Sequence, residues 1–137
     1  MKTIRYSAAL SGAIVLAAGL AQAETVLSVT IDGNEQTIAM MDALTAAYTA
    51  KNPDVTFEIT NRPGGSEGDN LVKTQLATGE AGDIQQYNSG SLFQALNPVQ
   101  SLADLSDIQG NVLESFQSVV TATDGTVRGV PFGSAMG

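Results

Sequence analysis

The residues best suited to chemistry in this sequence are small polar residues that follow a short apolar segment. Asn88 and Ser89 come directly after the segment 83–87, and Gly90 follows them. The amide and hydroxyl groups of the first two residues can donate and accept hydrogen bonds, and a glycine lets a ligand approach the backbone closely. This combination is typical of a site that binds a polar ligand without covalent chemistry.

Two earlier turns, at residues 32–35 and 63–66, have the same form of a strand, a polar turn and a helix. In open α/β sheets, ligands bind just beyond the carboxyl ends of the strands. We therefore expect the three turns to meet at one edge of the sheet and to form half of a polar cleft. The candidate ligand-binding residues are Asp32, Asn34, Glu35, Gly64, Gly65, Ser66, Asn88 and Ser89.

Each of these turns also has a purely structural interpretation. Asp32 and Asn34 could serve only to cap a helix, and Glu35 could serve only the positive end of its dipole. The Gly64–Ser66 turn resembles a phosphate cradle, but it lacks the lysine of a phosphate loop. Tyr87, which precedes Asn88, is expected to be a core residue rather than a stacking platform.

The elements that must position these turns follow from the apolar periodicity. Residues 25–31 and 54–60 have the composition of strands, and a helical repeat links them over residues 34–51. A second helix, capped by Ser66 with Asp69 or by Asp69 alone, ends at Gly79 and leads to a strand at 83–87. The order βαβαβ predicts an α/β fold, a mostly parallel sheet flanked by helices.

The later part of the chain has a looser pattern. A short helix is expected at 92–96, and another is expected to begin at Asn111 and run to about residue 120. Asp124 and Gly125 are a two-residue hairpin signal between segments 119–123 and 126–130.

Residues 1–23 have the features of a secretory signal peptide. Lys2 and Arg5 precede an apolar run at residues 8–20, and the segment 21–23 is an A-x-A cleavage site. The run is interrupted by glycine and is shorter than the roughly 20 residues that span a membrane. We therefore expect cleavage after Ala23 and an exported protein that begins at residue 24, with one domain over residues 24–137.

Charge and composition exclude several function classes. Residues 24–137 carry four basic and fourteen acidic residues, a formal net charge of −10, which argues against nucleic acid as a partner. The sequence has no His and no Cys, so Ser-His and Cys-His pairs and the usual zinc sites are excluded. We predict no catalytic residues, no metal site and no cofactor.

The ordered set of segments resembles a known family, the sugar-binding extracellular solute-binding proteins of bacterial ABC transporters. The resemblance spans nearly all of residues 24–137 and rests on segments whose order and spacing match that family. These segments are 52–55, 62–66, 73–79, 83–96, 102–106 and 124–132.

The resemblance implies the N-terminal lobe of a type II periplasmic-binding-protein fold, truncated near residues 129–133, where the family's chain first crosses to its second lobe. It implies a periplasmic protein that binds a sugar or another small polar solute between two lobes and delivers it to the permease. It also implies a monomer when full length. The family often has a Trp at the end of the first strand, but this sequence contains none.

Two alternatives remain open at this point. The first is an exported glycoside hydrolase, in which Asp32 or Glu35 would face Glu67 as a carboxylate pair. The second is a stand-alone module that binds a small solute.

Overall fold

A computed structural model describes residues 24–131, and their centre is a parallel three-stranded sheet. The strands are β1 (Thr25–Asp32), β2 (Val55–Arg62) and β3 (Ile84–Gln85), in the order β2-β1-β3. β1 pairs with β2 over its whole length, and β3 pairs with Val29 and Thr30 of β1. The predicted leader at residues 1–23 lies outside the described residues, and so do residues 132–133 of the predicted approach to the lobe crossing at 129–133.

The helix α1 (Glu35–Thr49) packs on one face of the sheet, which we call the α1 face. Val29 and Ile31 point to this face from β1, and with Met41 of α1 they form the buried apolar cluster. Side chains alternate between the two faces along a strand, so every second residue of β1 serves this core. The periodicity of the sequence specified this packing.

The helix α2 (Gly65–Thr78) lies on the opposite face, which we call the α2 face. The first crossover leads from β1 to β2, and the second leads back from β2 past β1 to β3. Because these two right-handed crossovers run in opposite directions, their helices lie on opposite faces of the sheet. The Arg62 side chain, which alternates away from α1, confirms this because its Nη1 lies only 2.6 Å from where a Cβ on Gly68 would stand.

The predicted start of α2 was wrong. The helix begins at Gly65, its N-cap is Gly64, and no side chain caps it. Gly65 has a φ of +65°, a conformation that a glycine adopts at no steric cost, and this lets the chain turn into the helix earlier than Ser66. The predicted end at Gly79 is confirmed, in the left-handed conformation.

The later part of the described chain consists of short helices and one bridge. These are α3 (Ser91–Gln94), α4 (Pro98–Ser101), a 3₁₀ helix (Ser106–Asn111), α5 (Glu114–Gln117) and an antiparallel bridge between Thr121 and Val127. The helix expected from Asn111 to about residue 120 is therefore only one turn long. The Gln117 amide donates to the Val112 carbonyl at 3.0 Å, a bond from a side chain to the backbone that competes with helix extension.

The predicted α/β class is confirmed, with a parallel sheet flanked by helices in the order βαβαβ. Within residues 24–131, none of the helices is both long enough and apolar enough to cross a membrane.

Candidate functional site at the carboxyl edge of the sheet

The three predicted turns begin at one edge of the sheet, which we call the carboxyl edge. Asp32 and Arg62, the last residues of β1 and β2, are register partners, so the turns that follow them start side by side. The Asp32 amide donates to Gln86 Oε1 at 2.8 Å, and the Gln86 amide donates to the Thr30 carbonyl at 2.8 Å. These bonds tie the end of β3 to the end of β1.

The turn after β1 has the structural role that its sequence indicates. Asn34 Oδ1 accepts a hydrogen bond from the Thr37 amide at 2.9 Å and so caps α1, and Glu35 lies in the first turn of that helix. Asn34 and Glu35 are exposed, and Asp32 is half-buried. The cap uses only the carbonyl oxygen of Asn34, so its amide nitrogen is not committed by it.

The turn after β2 leaves the start of α2 uncapped by any side chain. Gly64, Gly65 and Ser66 are all exposed. The first amides of a helix have no partner within the helix, and they bind an external acceptor when the cap supplies none. A ligand oxygen at this turn would meet such amides as well as the Ser66 hydroxyl.

The loop after β3 is anchored at its far end. Asn88 and Ser89 are exposed, and Gly90 has a φ of +69°, which strongly favours glycine at that position. The Gly90 amide donates to the Val119 carbonyl at 3.0 Å, which fastens this loop to the later part of the chain. The exposed amide and hydroxyl groups are therefore presented by a loop that is held at both ends.

Sequence reasoning missed a buried pair beneath these loops. Arg62 is only 5% exposed, its Nη1 donates to the Pro63 carbonyl at 3.3 Å, and its guanidinium carbon lies 5.5 Å from the centre of the Tyr87 ring. Tyr87, which was expected to be a core residue, has a buried hydroxyl. Its ring also lies next to the positively charged guanidinium of Arg62. The position of Arg62 in the sequence could have indicated its burial, because alternate residues of β2, including Arg62, face away from α1.

Burial raises the pKa of Tyr87, and the nearby Asp69 carboxylate of α2 raises it further. Among the described residues, the buried Tyr87 hydroxyl makes no hydrogen bond that meets the usual limits of distance and angle. The Arg62 Nε is likewise buried without a partner there.

Two further observations concern metal binding and exposed apolar surface. Among residues 24–131 no three acidic side chains are grouped closely enough to hold a metal ion. A separate apolar groove of about 370 Å³ lies on the α1 face, and none of the predicted site residues lines it. Its lining includes Leu27, Met41, Leu44, Tyr48, Phe57 and Ile84.

The carboxylates of the hydrolase alternative lie on these turns. Glu35 and Glu67 are both exposed, in the first turns of α1 and α2. A glycosidase needs two carboxyl groups held at a fixed distance across a cleft. The described residues show no enclosure around either glutamate, and no observation favours this alternative.

Comparison with known proteins shows which solved structures share this fold. No family model matches the chain, and no curated protein sequence matches it. Solved structures do match. An extracellular solute-binding protein of family 1 from Alicyclobacillus acidocaldarius has a TM-score of 0.66 and 19% identity, and the match covers 80% of this chain and 28% of that one. The fold is that of a solute-binding-protein lobe.

Two other structures have the same fold. A sugar transporter protein from Rhizobium etli in an open conformation has a TM-score of 0.58 and 23% identity, over 75% of this chain and 27% of that one. The galacto-N-biose- and lacto-N-biose I-binding protein of the Bifidobacterium longum ABC transporter has a TM-score of 0.56 and 17% identity, over 78% of this chain and 28% of that one.

These matches confirm at the level of fold the resemblance expected from the sequence. The neighbours bear the names of binding proteins and transporters rather than enzymes. The chain spans 27–28% of the length of these three structures.

Proposed function

We propose that this chain is the N-terminal lobe of a carbohydrate-binding component of an ABC uptake transporter. The observation that carries the proposal is the meeting of three polar turns at the carboxyl edge of a solute-binding-protein lobe. The names of the neighbours, which include a lacto-N-biose I-binding protein, support a sugar as the ligand. The proposed ligand-binding residues are Asp32, Asn34, Glu35, Gly64, Gly65, Ser66, Asn88 and Ser89.

The proposed mechanism is closure of two lobes around the ligand. In this mechanism the carboxyl edge supplies one wall of the cleft, and a second lobe outside this sequence supplies the other. Sugar binding would favour the closed state because only that state contacts the ligand from both walls, and the closed state would dock on the permease. Since this chain has no Trp, its own contacts to the sugar would be mainly hydrogen bonds.

Export is part of the same proposal. Residues 1–23 would direct the chain to the periplasm and be removed after Ala23, and the lobe would occupy residues 24–137. The match to only 27–28% of each neighbour supports a longer protein that continues into a second lobe. Reading the coding sequence beyond Gly137 tests this: an open frame long enough for another lobe is expected, and a stop codon there would contradict it.

Calorimetric titration of the full product of the coding sequence with a panel of mono- and disaccharides tests the binding function. We expect saturable binding of at least one sugar, and binding of none would overturn the proposal. The double variant Asn88→Ala with Ser89→Ala should bind about tenfold more weakly or worse, because each hydrogen bond contributes about 1 kcal/mol and 1.4 kcal/mol is a factor of ten.

A matched control is the double variant Asn111→Ala with Ser115→Ala. It removes an exposed asparagine and an exposed serine that lie outside the three turns. Its sugar affinity should equal that of the unaltered protein. An equal loss in both double variants would mean that the Asn88 and Ser89 effect is not specific to the site.

A further inference from the structure

We propose that Arg62 and Tyr87 are a positioning pair, which holds the loop after β2 and the loop after β3 in one arrangement for the ligand. This inference rests on the proposed function, since it concerns the same carboxyl edge. Neither residue is among the proposed ligand contacts, and both lie beneath the loops that carry those contacts.

The environment of Arg62 indicates a role other than stability. Its guanidinium is buried, and the salt bridge found within residues 24–131 is elsewhere, between Arg128 and Asp124. A buried charge without a carboxylate partner is costly, and a well-packed apolar residue at such a position usually stabilises a protein at least as well. A positioning role, in which the guanidinium holds neighbouring groups in place, explains why a buried charge is present at this position.

Two groups are held by this guanidinium. Its Nη1 bonds the Pro63 carbonyl, which immediately precedes Gly64 and Gly65. The guanidinium carbon lies over the ring of Tyr87, 5.5 Å from the ring centre, and Tyr87 immediately precedes Asn88. A cation near an aromatic ring at this distance is attracted by the electrons of the ring, and the attraction is stronger away from water.

The pair connects two strands that do not touch. β2 and β3 lie on opposite sides of β1, so no backbone ladder links the loops that follow them. The contact between Arg62 and Tyr87 spans the end of β1 and supplies this link. A loop already held in its bound arrangement loses less entropy when ligand binds, and its affinity is higher for that reason.

The close fit around Arg62 adds to the argument. A Cβ on Gly68 would stand 2.6 Å from Nη1 and would overlap the Pro63 carbonyl oxygen. The first turn of α2 therefore lies directly against the guanidinium and leaves it little freedom to move. The guanidinium therefore lies close both to α2 and to the Tyr87 ring.

A comparison of Tyr87→Phe with Tyr87→Leu distinguishes the contribution of the Tyr87 ring to sugar affinity from that of its hydroxyl. The phenylalanine keeps the ring, and the hydroxyl has no partner of good geometry to lose, so sugar affinity should stay within twofold. The leucine removes the ring, and affinity should fall about tenfold, in the full product of the coding sequence. Tyr48→Leu is the matched control: it removes an edge-to-face contact with Phe57 on the α1 face and should leave affinity unchanged.

A readout without ligand separates this inference from the proposed function. In two-dimensional NMR spectra, the amide resonances of Gly64 and Gly65 should move in Tyr87→Leu and stay in place in Tyr87→Phe. Movement of these resonances supports the pair even if the protein binds no sugar of the panel. Unmoved Gly64 and Gly65 resonances in Tyr87→Leu would overturn the pair even if sugar binds.

Arg62→Lys tests the other partner and serves if Tyr87→Leu does not fold. Lysine keeps the positive charge but lacks the planar guanidinium that stacks on a ring and binds in a fixed geometry. We expect the same Gly64 and Gly65 amides to move, the Asn88 and Ser89 amides to move with them, and affinity to fall about fivefold or more. Unchanged spectra and unchanged affinity in Arg62→Lys would contradict the inference.

Discussion

On the α1 face of the sheet the buried side chains are apolar, whereas on the α2 face buried polar side chains lie beside a buried apolar one. Val29, Ile31 and Met41 form a cluster on the first face that needs no hydrogen bonds. On the second face Thr30 and Arg62 are buried together with Val72 of α2. The buried side-chain atoms without a partner within residues 24–131 belong to Arg62, Gln75, Gln85 and Tyr87, which lie on α2, on the α2 face or at its carboxyl edge.

The difference indicates that the two faces of the sheet contribute differently to stability and to binding. Apolar burial contributes about 25 cal/mol per Å², while a buried polar group without a partner costs roughly 1–3 kcal/mol. The buried apolar side chains of the α1 face should therefore stabilise the fold more than the buried polar groups of the α2 face do. The α2 face carries the groups that lie under the candidate loops, and its retention of polar groups fits a role in binding.

The largest effect is expected on the α1 face. Ile31→Ala removes a fully buried side chain and should lower the free energy of unfolding by about 2–5 kcal/mol, because a cavity remains where the side chain was. Urea denaturation followed by circular dichroism measures it. The neighbouring Thr30→Ala, on the α2 face, should cost clearly less, and equal losses at the two positions would remove the distinction between the faces.

Gly68→Ala should have the next largest effect, at the contact between α2 and the carboxyl edge. The added methyl group would overlap the Pro63 carbonyl, so the backbone must shift, and overpacking of this kind costs about 1–3 kcal/mol. Gly64→Ala is the matched control, since a Cβ there meets nothing within 4 Å and the φ of −78° suits any residue. Thermal unfolding that fails to rank the two variants in this order would refute the close fit.

A stabilising change is expected within the α2 face itself. Gln75→Met keeps the length of the side chain and removes a buried oxygen that accepts no hydrogen bond from the described residues. Replacing such a group by an apolar one of similar shape is neutral or favourable, so we expect a gain of up to about 1 kcal/mol. A loss of stability in urea titrations would show that Gln75 is satisfied, for example by a buried water molecule.

The smallest expected effect is the pH dependence of the polar contacts of β1 with the segment before β3. Asp83 Oδ2 accepts hydrogen bonds from the amide and the hydroxyl of Ser28 at 2.8 and 2.7 Å. The bond from the Ser28 amide, and then that from its hydroxyl, lower the pKa of Asp83 below 3.8. Because the folded protein binds this proton less readily than the unfolded chain, the stabilisation is complete above about pH 4 and is lost as the pH falls further.

Asp83→Asn should therefore be less stable than the unaltered protein at pH 6, and the difference should shrink as the pH approaches 2. Equilibrium unfolding at several pH values measures this difference. The difference caused by Ile31→Ala should stay nearly constant over the same range, since it involves no titrating group. A constant Asp83→Asn difference would show that the Ser28 contacts do not depend on the charge.

β1, β2 and α1 could be predicted because local signals agreed with the tertiary structure, whereas the strand predicted over residues 83–87 is only Ile84–Gln85. The apolar repeat of α1, the Asn34 cap and the alternation in β2 each indicated what the fold confirmed. The convergence of the three turns also followed, because the carboxyl ends of parallel strands share an edge. The ligand contacts at that edge remain a prediction.

What could not be predicted depends on contacts far apart in the sequence. The contact of Arg62 with Tyr87 joins the last residue of β2 to the loop after β3, two parts of the chain that are not neighbours in the sheet, and no local pattern encodes it. The length of α5 depends on the Gln117 side chain reaching Val112. The start of α2 depends on the backbone freedom of Gly65, which a capping pattern at Ser66 concealed.

The positions of Tyr48 and Tyr87 have a practical consequence for spectroscopy. Beyond the predicted leader these are the two tyrosines of the sequence, and it contains no tryptophan whose emission would mask them. Tyr48 lies half-exposed in the groove of the α1 face, and Tyr87 lies against a buried cation at the opposite side of the sheet. Each side of the sheet therefore carries its own intrinsic fluorophore, and substitution of either tyrosine by phenylalanine leaves the other as the one tyrosine within residues 24–131.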